Sequence, residues 1–260
     1  MAYKDIVVYL DASDLNDARL ETAIDLAEQH SARLIGVDIS TAAAFEGERK
    51  ERAQTIQDRF EERLGRTQLV AECRAAGTSA STAQELFAHC ADLIISSQPH
   101  VDSAHLAAAA VPKDVLLNAG VPMLVLPTEW QAKEPLGRSI LLAWNFSRES
   151  TRALHDAMPM LSRAKHVTLF VFGAGFDPQN TDILDVVAHL ARHGIEVTVD
   201  GWRDTGEVNT IDAMFASLER EESDLIVAGA FGHSPLRESF LGSTSEQLLN
   251  NISMPLVMSH

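Results

Sequence analysis

Gly229-Ala230-Phe231-Gly232 is followed, after nine intervening residues, by Gly242-Ser243-Thr244. Glycine lets a backbone approach a ligand closely and adopt positive φ. The last three residues lead into Ser245–Asn250, which reads as a helix, and a helix start offers unpaired N–H groups and a partial positive charge. Ser and Thr at that point add hydroxyl donors, so the pattern can cradle a phosphate through main-chain donors. His233 and Arg237 are the nearby cations in the intervening loop. On spacing alone the same residues also read as a turn glycine and an ordinary helix cap.

Other chemistry has less support. The chain has no GxxxxGK[ST] loop and no GxSxG elbow, and Ser243 has no evident base beside it except His233, so no catalytic residue is assigned. His189 and His193 stand four apart on an expected helix, a spacing that can share a metal. No Cys or carboxylate partner is indicated, and a solvated helix face explains them. There is no HExxH, and His100 and His105, five apart, suit neither a strand nor a helix as ligands. Gly173-Ala174-Gly175 lacks the third glycine of a dinucleotide fingerprint and reads as a turn. Cys73, in a strand, and Cys90, at a helix end, form no CxxC pair and read as buried, inert thiols.

The elements that must position these residues are written twice. Ile6-Val7-Val8-Tyr9-Leu10-Asp11 recurs 134 positions later as Ile140-Leu141-Leu142-Ala143-Trp144-Asn145. Leu20, Ala23, Ile24 and Ala27 form one helical face, and Leu154, Ala157, Met158 and Leu161 repeat it, with Pro159 expected to kink the second copy. Second strands are expected at Arg33–Ile39 and His166–Phe172, and third strands at Gln68–Arg74 and Ile195–Trp202. Helix starts follow at Ser81 and Asn209. Ala91–Ser96 matches Ser223–Ala228, and Val121–Leu126 matches Met254–Ser259. Short continuous apolar runs alternating with helices predict α/β domains with parallel sheets and helices on both faces. Domains are expected at 1–127 and 139–260, joined by an exposed linker at 128–138. In such a sheet, ligands sit beyond the carboxyl ends of the strands, where strand order reverses. Glu46–Arg63, with Ile56, Phe60 and Leu64 in one stripe, predicts a solvated amphipathic helix.

The 260 residues are 46% apolar and 22% charged, which suits a folded chain of one or two domains. With 21 Lys and Arg against 37 Asp and Glu, the net charge is −16, which argues against gripping a nucleic-acid backbone. No apolar stretch approaches the roughly 20 residues that cross a bilayer, and the N-terminus enters a strand pattern directly, so a cytoplasmic protein is expected.

The pattern Gly229-x2-Gly232-x9-Gly242-Ser243, the doubled arrangement, the opening run to Asp11, and the closing strands with Val121-Pro122 and Met254-Pro255 resemble the universal stress protein family. The resemblance covers nearly the whole chain as two tandem copies. It implies two Rossmann-like sheets of five strands, the fifth pairing across an axis within a homodimer or an intrachain pseudo-dimer. It also implies a stress-response or regulatory module, not an enzyme, whose ligand is ATP or another adenine nucleotide, alone or with Mg²⁺. By that likeness an Asp after strand one touches the base or ribose, and the glycines and Ser/Thr hold the phosphates. The second half carries Asn145 at the Asp position and Gly229, Gly232, His233, Gly242, Ser243 and Thr244 in the loop. The first half keeps Asp11 but places Ser97, His100, Ala109 and Ala110 near the loop positions, where side chains crowd a phosphate; it is expected to bind no triphosphate. A nucleotide-free interaction scaffold, its glycine loop only structural, is the alternative.

Overall fold

The computed structural model describes residues 2–11, 15–39, 46–75, 88–98, 113–132, 135–173, 176–177, 179–204, 206, 209–230 and 243–260. They form two compact units, Ala2–Pro135 and Leu136–His260. The first contains β1 (Asp5–Leu10), α1 (Leu15–His30), β2 (Arg33–Asp38), α2 (Glu46–Leu64), β3 (Ala71–Ala75), β4 (Leu93–Ser97), α3 (Lys113–Asn118) and β5 (Met123–Leu126). Its strands pair in parallel in the order β3-β2-β1-β4-β5. The second contains β6 (Ser139–Trp144), α4 (Arg148–Asp156), α5 (Met158–Leu161), β7 (His166–Phe172) and α6 (Thr181–Arg192). It continues with β8 (Thr198–Trp202), α7 (Thr210–Arg220), β9 (Leu225–Gly229), α8 (Ser243–Asn251) and β10 (Leu256–Ser259). The parallel order is β8-β7-β6-β9-β10, the same order as in the first unit. Each unit is a Rossmann-like α/β sheet.

The strands are apolar along their length because both sides are covered. Val7–Leu10, Leu93–Ile95, Ile140–Leu142, Leu225–Val227 and Leu256–Met258 are wholly buried. Full burial of each such side chain contributes about 1.5–3 kcal/mol. Gly36 in β2 leaves the room that Phe60 of α2 fills: a Cβ there would stand 2.7 Å from the Phe60 ring and 2.7 Å from Leu10. The α2 stripe is thus buried through Ile56 and Phe60, while Arg63 pairs with Asp17 and Glu21 of α1.

Pairing sets the third strands' starts later than the apolar pattern suggests. β3 begins where Ala71 meets Leu34, and β8 where Thr198 meets Thr168. Pro159 interrupts the helical face as expected. α4 ends at Asp156, and Pro159 sits in the first turn of α5, where its missing N–H breaks no bond. Asn209 caps α7 by accepting from the Asp212 N–H at 2.9 Å. Ser81 lies outside the described residues. Within the stretch read as a linker, Trp130 Nε1 donates to Thr22 of α1 at 2.9 Å, and the Thr128 N–H donates to Gln98 at 3.2 Å. Cys73 is half-buried in β3, and burial pushes its thiol up to about 11. Cys90 is exposed rather than buried, since it stands in the turn before β4 and not on a packed face.

One device recurs at the amino ends of the strands. Asp92, before β4, accepts from the Lys4 and Asp5 N–H groups at 2.6 and 3.1 Å. Asp224, before β9, accepts from Gly137, Arg138 and Ser139 at 3.0, 2.9 and 3.4 Å. Each carboxylate fixes the start of the central strand beside it. Asp224→Ala leaves three main-chain donors unmatched and is expected to cost about 1–3 kcal/mol, measured as a lower urea midpoint.

Candidate functional site

In both units the chain leaves the central strand to opposite sides: β7 and β8 lie beyond one edge of β6, β9 and β10 beyond the other. Connections diverge there, and a crevice opens at the carboxyl ends of the two strands. In the second unit that crevice is a cavity of about 120 Å³. Its walls come from Ala143, Trp144 and Asn145 at the end of β6, Phe170 and Phe172 of β7, and Ala228 and Gly229 of β9. Ser150 of α4, Thr210 and Met214 of α7, and Ser245 and Leu248 of α8 complete it. Mostly aromatic and aliphatic walls with a few polar groups suit a flat ring.

Of the residues expected in a nucleotide site, the structure brings Asn145 and Gly229 to this one cavity. Ser243 and Thr244 are the first two residues of α8, whose Ser245 lines it. Gly232, His233, Arg237 and Gly242 lie outside the described residues, as do His100, His105, Ala109, Ala110 and Gly175. Asn145 is exposed, and its Oδ1 accepts from the Ser147 N–H at 3.2 Å. That bond fixes the amide's orientation and leaves Nδ2, a donor, where a carboxylate would offer only acceptors. Trp144, Phe170, Phe172 and Met214 were not singled out from the sequence. The signal was present: apolar residues at the strand tips of β6 and β7, where solvent-facing residues would otherwise be expected.

Gly229 differs from its expected place and has a structural part to play beside the expected one. It is the last residue of β9, paired with Ser259, and not the first of a loop. A Cβ on it would fall 2.6 Å from the Glu149 carbonyl carbon, 2.6 Å from the Ser150 nitrogen and 2.8 Å from the Glu149 Cβ. The start of α4 therefore rests directly on β9, and only glycine permits the approach. Gly229→Ala meets backbone that cannot give, and a loss of about 1–3 kcal/mol is expected by denaturant titration.

The first unit fills the same crevice with its own side chains. Arg19 of α1 is 0% exposed. Its Nη2 donates to Asp11 Oδ2 at 2.9 Å and to Asn16 Oδ1 at 3.2 Å, and its Nη1 donates to Ser97 Oγ at 2.9 Å. Asn16 Oδ1 also accepts from the Asp11 N–H at 3.1 Å. The guanidinium thus bridges the residue after β1 and the last residue of β4, with only its Nε unmatched. The repeat replaces Asp11, Asn16, Arg19 and Ser97 by Asn145, Ser150, Ala153 and Gly229. Asn16 and Arg19 share the inward face with Leu20 and Ala23, a polar pair on an apolar stripe that the sequence displays. Arg19→Ala removes the cation paired with a buried carboxylate and opens a void, and should destabilise the protein by about 3–5 kcal/mol, measured as a fall in Tm.

His193 stands on a solvated face, and His189 beside it is half-buried. The His189 ring lies 4.9 Å from that of His193 and 5.4 Å from that of His155 on α4, and its Nε2 is buried without a partner. No group of three His, Cys, Asp or Glu among the described residues could hold a metal ion. Burial, then the neighbouring charges of His193, His155 and Arg192, hold the His189 imidazole below its ordinary value. On acidification the unfolded chain takes this proton first, so the stability that neutral His189 allows is lost as pH falls below about 6.5. Between pH 7.5 and 5.5 the urea midpoint should fall less in His189→Gln than in the native chain.

Comparison with known proteins places this geometry in context. The model of the universal stress protein family matches residues 176–260. A universal stress protein from Archaeoglobus fulgidus DSM 4304 superposes with a TM-score of 0.74 at 18% identity, over 98% of this chain and 97% of that one. A functionally unknown protein from Pseudomonas aeruginosa PAO1 gives 0.60 at 16% identity, over 99% and 92%. At such identities the likeness is one of fold. A comparison with curated proteins finds no match. No helix among the described residues is long and apolar enough to cross a membrane. Residues 176–260 thus match the model of the universal stress protein family, in a chain that shares the fold of a solved universal stress protein along nearly its whole length.

Proposed function

We propose that the protein is a stress-response or regulatory module that binds ATP or another adenine nucleotide in its second unit, with little or no hydrolysis. The observation that carries this reading is the contrast between two copies of one crevice. The first is closed by a buried arginine; the second is open, with Asn145, Gly229 and the first turn of α8 around it. A cavity of about 120 Å³ is close to the roughly 150 Å³ that holds a benzene ring, so it can seat part of a base, with the rest of the ligand extending outward. The main-chain N–H groups of the first turn of α8, with Ser243 and Thr244, would hold phosphates without a cluster of cations.

A second reading, a nucleotide-free scaffold, is favoured by one observation: Gly229 already serves to admit α4. Calorimetric titration with ATP, with and without Mg²⁺, separates the two. Saturable binding that Gly242→Val abolishes supports the nucleotide site; absence of heat, and no adenine nucleotide released on denaturing the purified protein, supports the scaffold.

A further inference from the structure

We propose that Phe146, packed against the cavity-lining Trp144, is a stacking platform for the flat ring of the second unit's ligand, kept there at the expense of backbone strain. This deepens the nucleotide reading and rests on it. Phe146 has φ 61°, in the left-handed region that residues with a Cβ avoid. The residue is 48% exposed, so burial does not explain a bulky apolar side chain there. Nor does the turn require it. The bend between β6 and α4 is held by its neighbours, through the Ser147 N–H donating to Asn145 and the Ser150 N–H donating to Ser147 Oγ at 3.0 Å. Glycine would make that bend without strain.

What the ring does have is a position. It meets Trp144 edge-on, with centroids 6.0 Å apart and planes at 74°. Trp144 is 8% exposed and forms part of the cavity wall, and its neighbour Asn145 carries that wall to the surface. A purine seated by one ring in the cavity carries its second ring outside, and Phe146, in contact with the cavity-lining Trp144, is the exposed aromatic offered to it. A base laid on an exposed aromatic face gains stacking that is tolerant of base identity. Trp144 behind it supplies an edge that orients the Phe146 ring.

The test is calorimetric titration of the full chain with ATP, for the native protein, Phe146→Gly, Phe146→Leu and Phe146→Tyr, with Tm measured for each. Native binding, weakened about tenfold or more in the Gly and Leu variants and kept in Tyr, is the expected result. The Tm of Phe146→Gly should equal or exceed the native value, because the strain is relieved. Native binding with unchanged affinity in Phe146→Gly overturns the platform and leaves the nucleotide site standing. Weakened binding with a lowered Tm in Phe146→Gly, not restored by Tyr, assigns the ring to packing and also overturns it. Absence of native binding to ATP, ADP and AMP removes the nucleotide reading itself, and the platform with it.

Discussion

The reversal of strand order beside the central strand is the constraint on which everything else rests. A parallel sheet needs a crossover for each new strand, and when successive crossovers leave to opposite edges, no connection can cover the gap between the two middle strands. The gap at the tips of β1 and β4, and again at β6 and β9, is therefore a product of topology and precedes any function. A folded protein can fill it with its own side chains or leave it open. This chain does each once.

Filling it with arginine demands a complete set of partners. A guanidinium withdrawn from water needs its charge matched and its donors satisfied, and Asp11, Asn16 and Ser97 do most of that work. Changing Arg19 alone would leave a carboxylate buried; changing Asp11 alone would leave a cation buried. The four positions have to differ together, and between the two copies they do. In the second copy, Ala153 returns the volume, Gly229 returns the space at the strand tip, and Asn145 carries no charge that would need a partner. The open crevice is thus electrically neutral along its described walls, despite the chain's net charge of −16.

The fold was largely legible because its signals are local and doubled. Continuous apolar runs gave the strands, the Asn209 cap and the Pro159 break gave helix boundaries, and a repeat 134 residues apart made each half a check on the other. Strand starts at β3 and β8 were less legible, since an edge strand begins where its partner begins and not where its apolar residues do. The candidate site was legible by position only. That Asn145 and Gly229 meet follows from where strands one and four must end. The aromatic wall does not follow, because Phe170 and Phe172 read simply as strand residues until β7 is placed beside β6. Arg19 was missed for a related reason: a helical face was read by its apolar members, and the polar residues on the same face carried the information about what the crevice contains.

Gly229 shows why a glycine pattern alone is ambiguous. The signature assigns it to a ligand, while the packing of α4 on β9 needs it whether or not a ligand is present. Both demands arise from one cause. A helix that begins immediately after the central strand must pass over the tip of the neighbouring strand, and the closer it passes, the nearer the strand tips and the cavity stand to each other. In the first unit Ser97 occupies that tip, and its hydroxyl receives the arginine. Loss of that one side chain at the strand end therefore does two things together: it removes an anchor for an internal occupant, and it lets the helix settle where an external one could be held. The glycine is then structural and permissive at the same time, and the neighbours that changed with it are what distinguish an open crevice from a filled one.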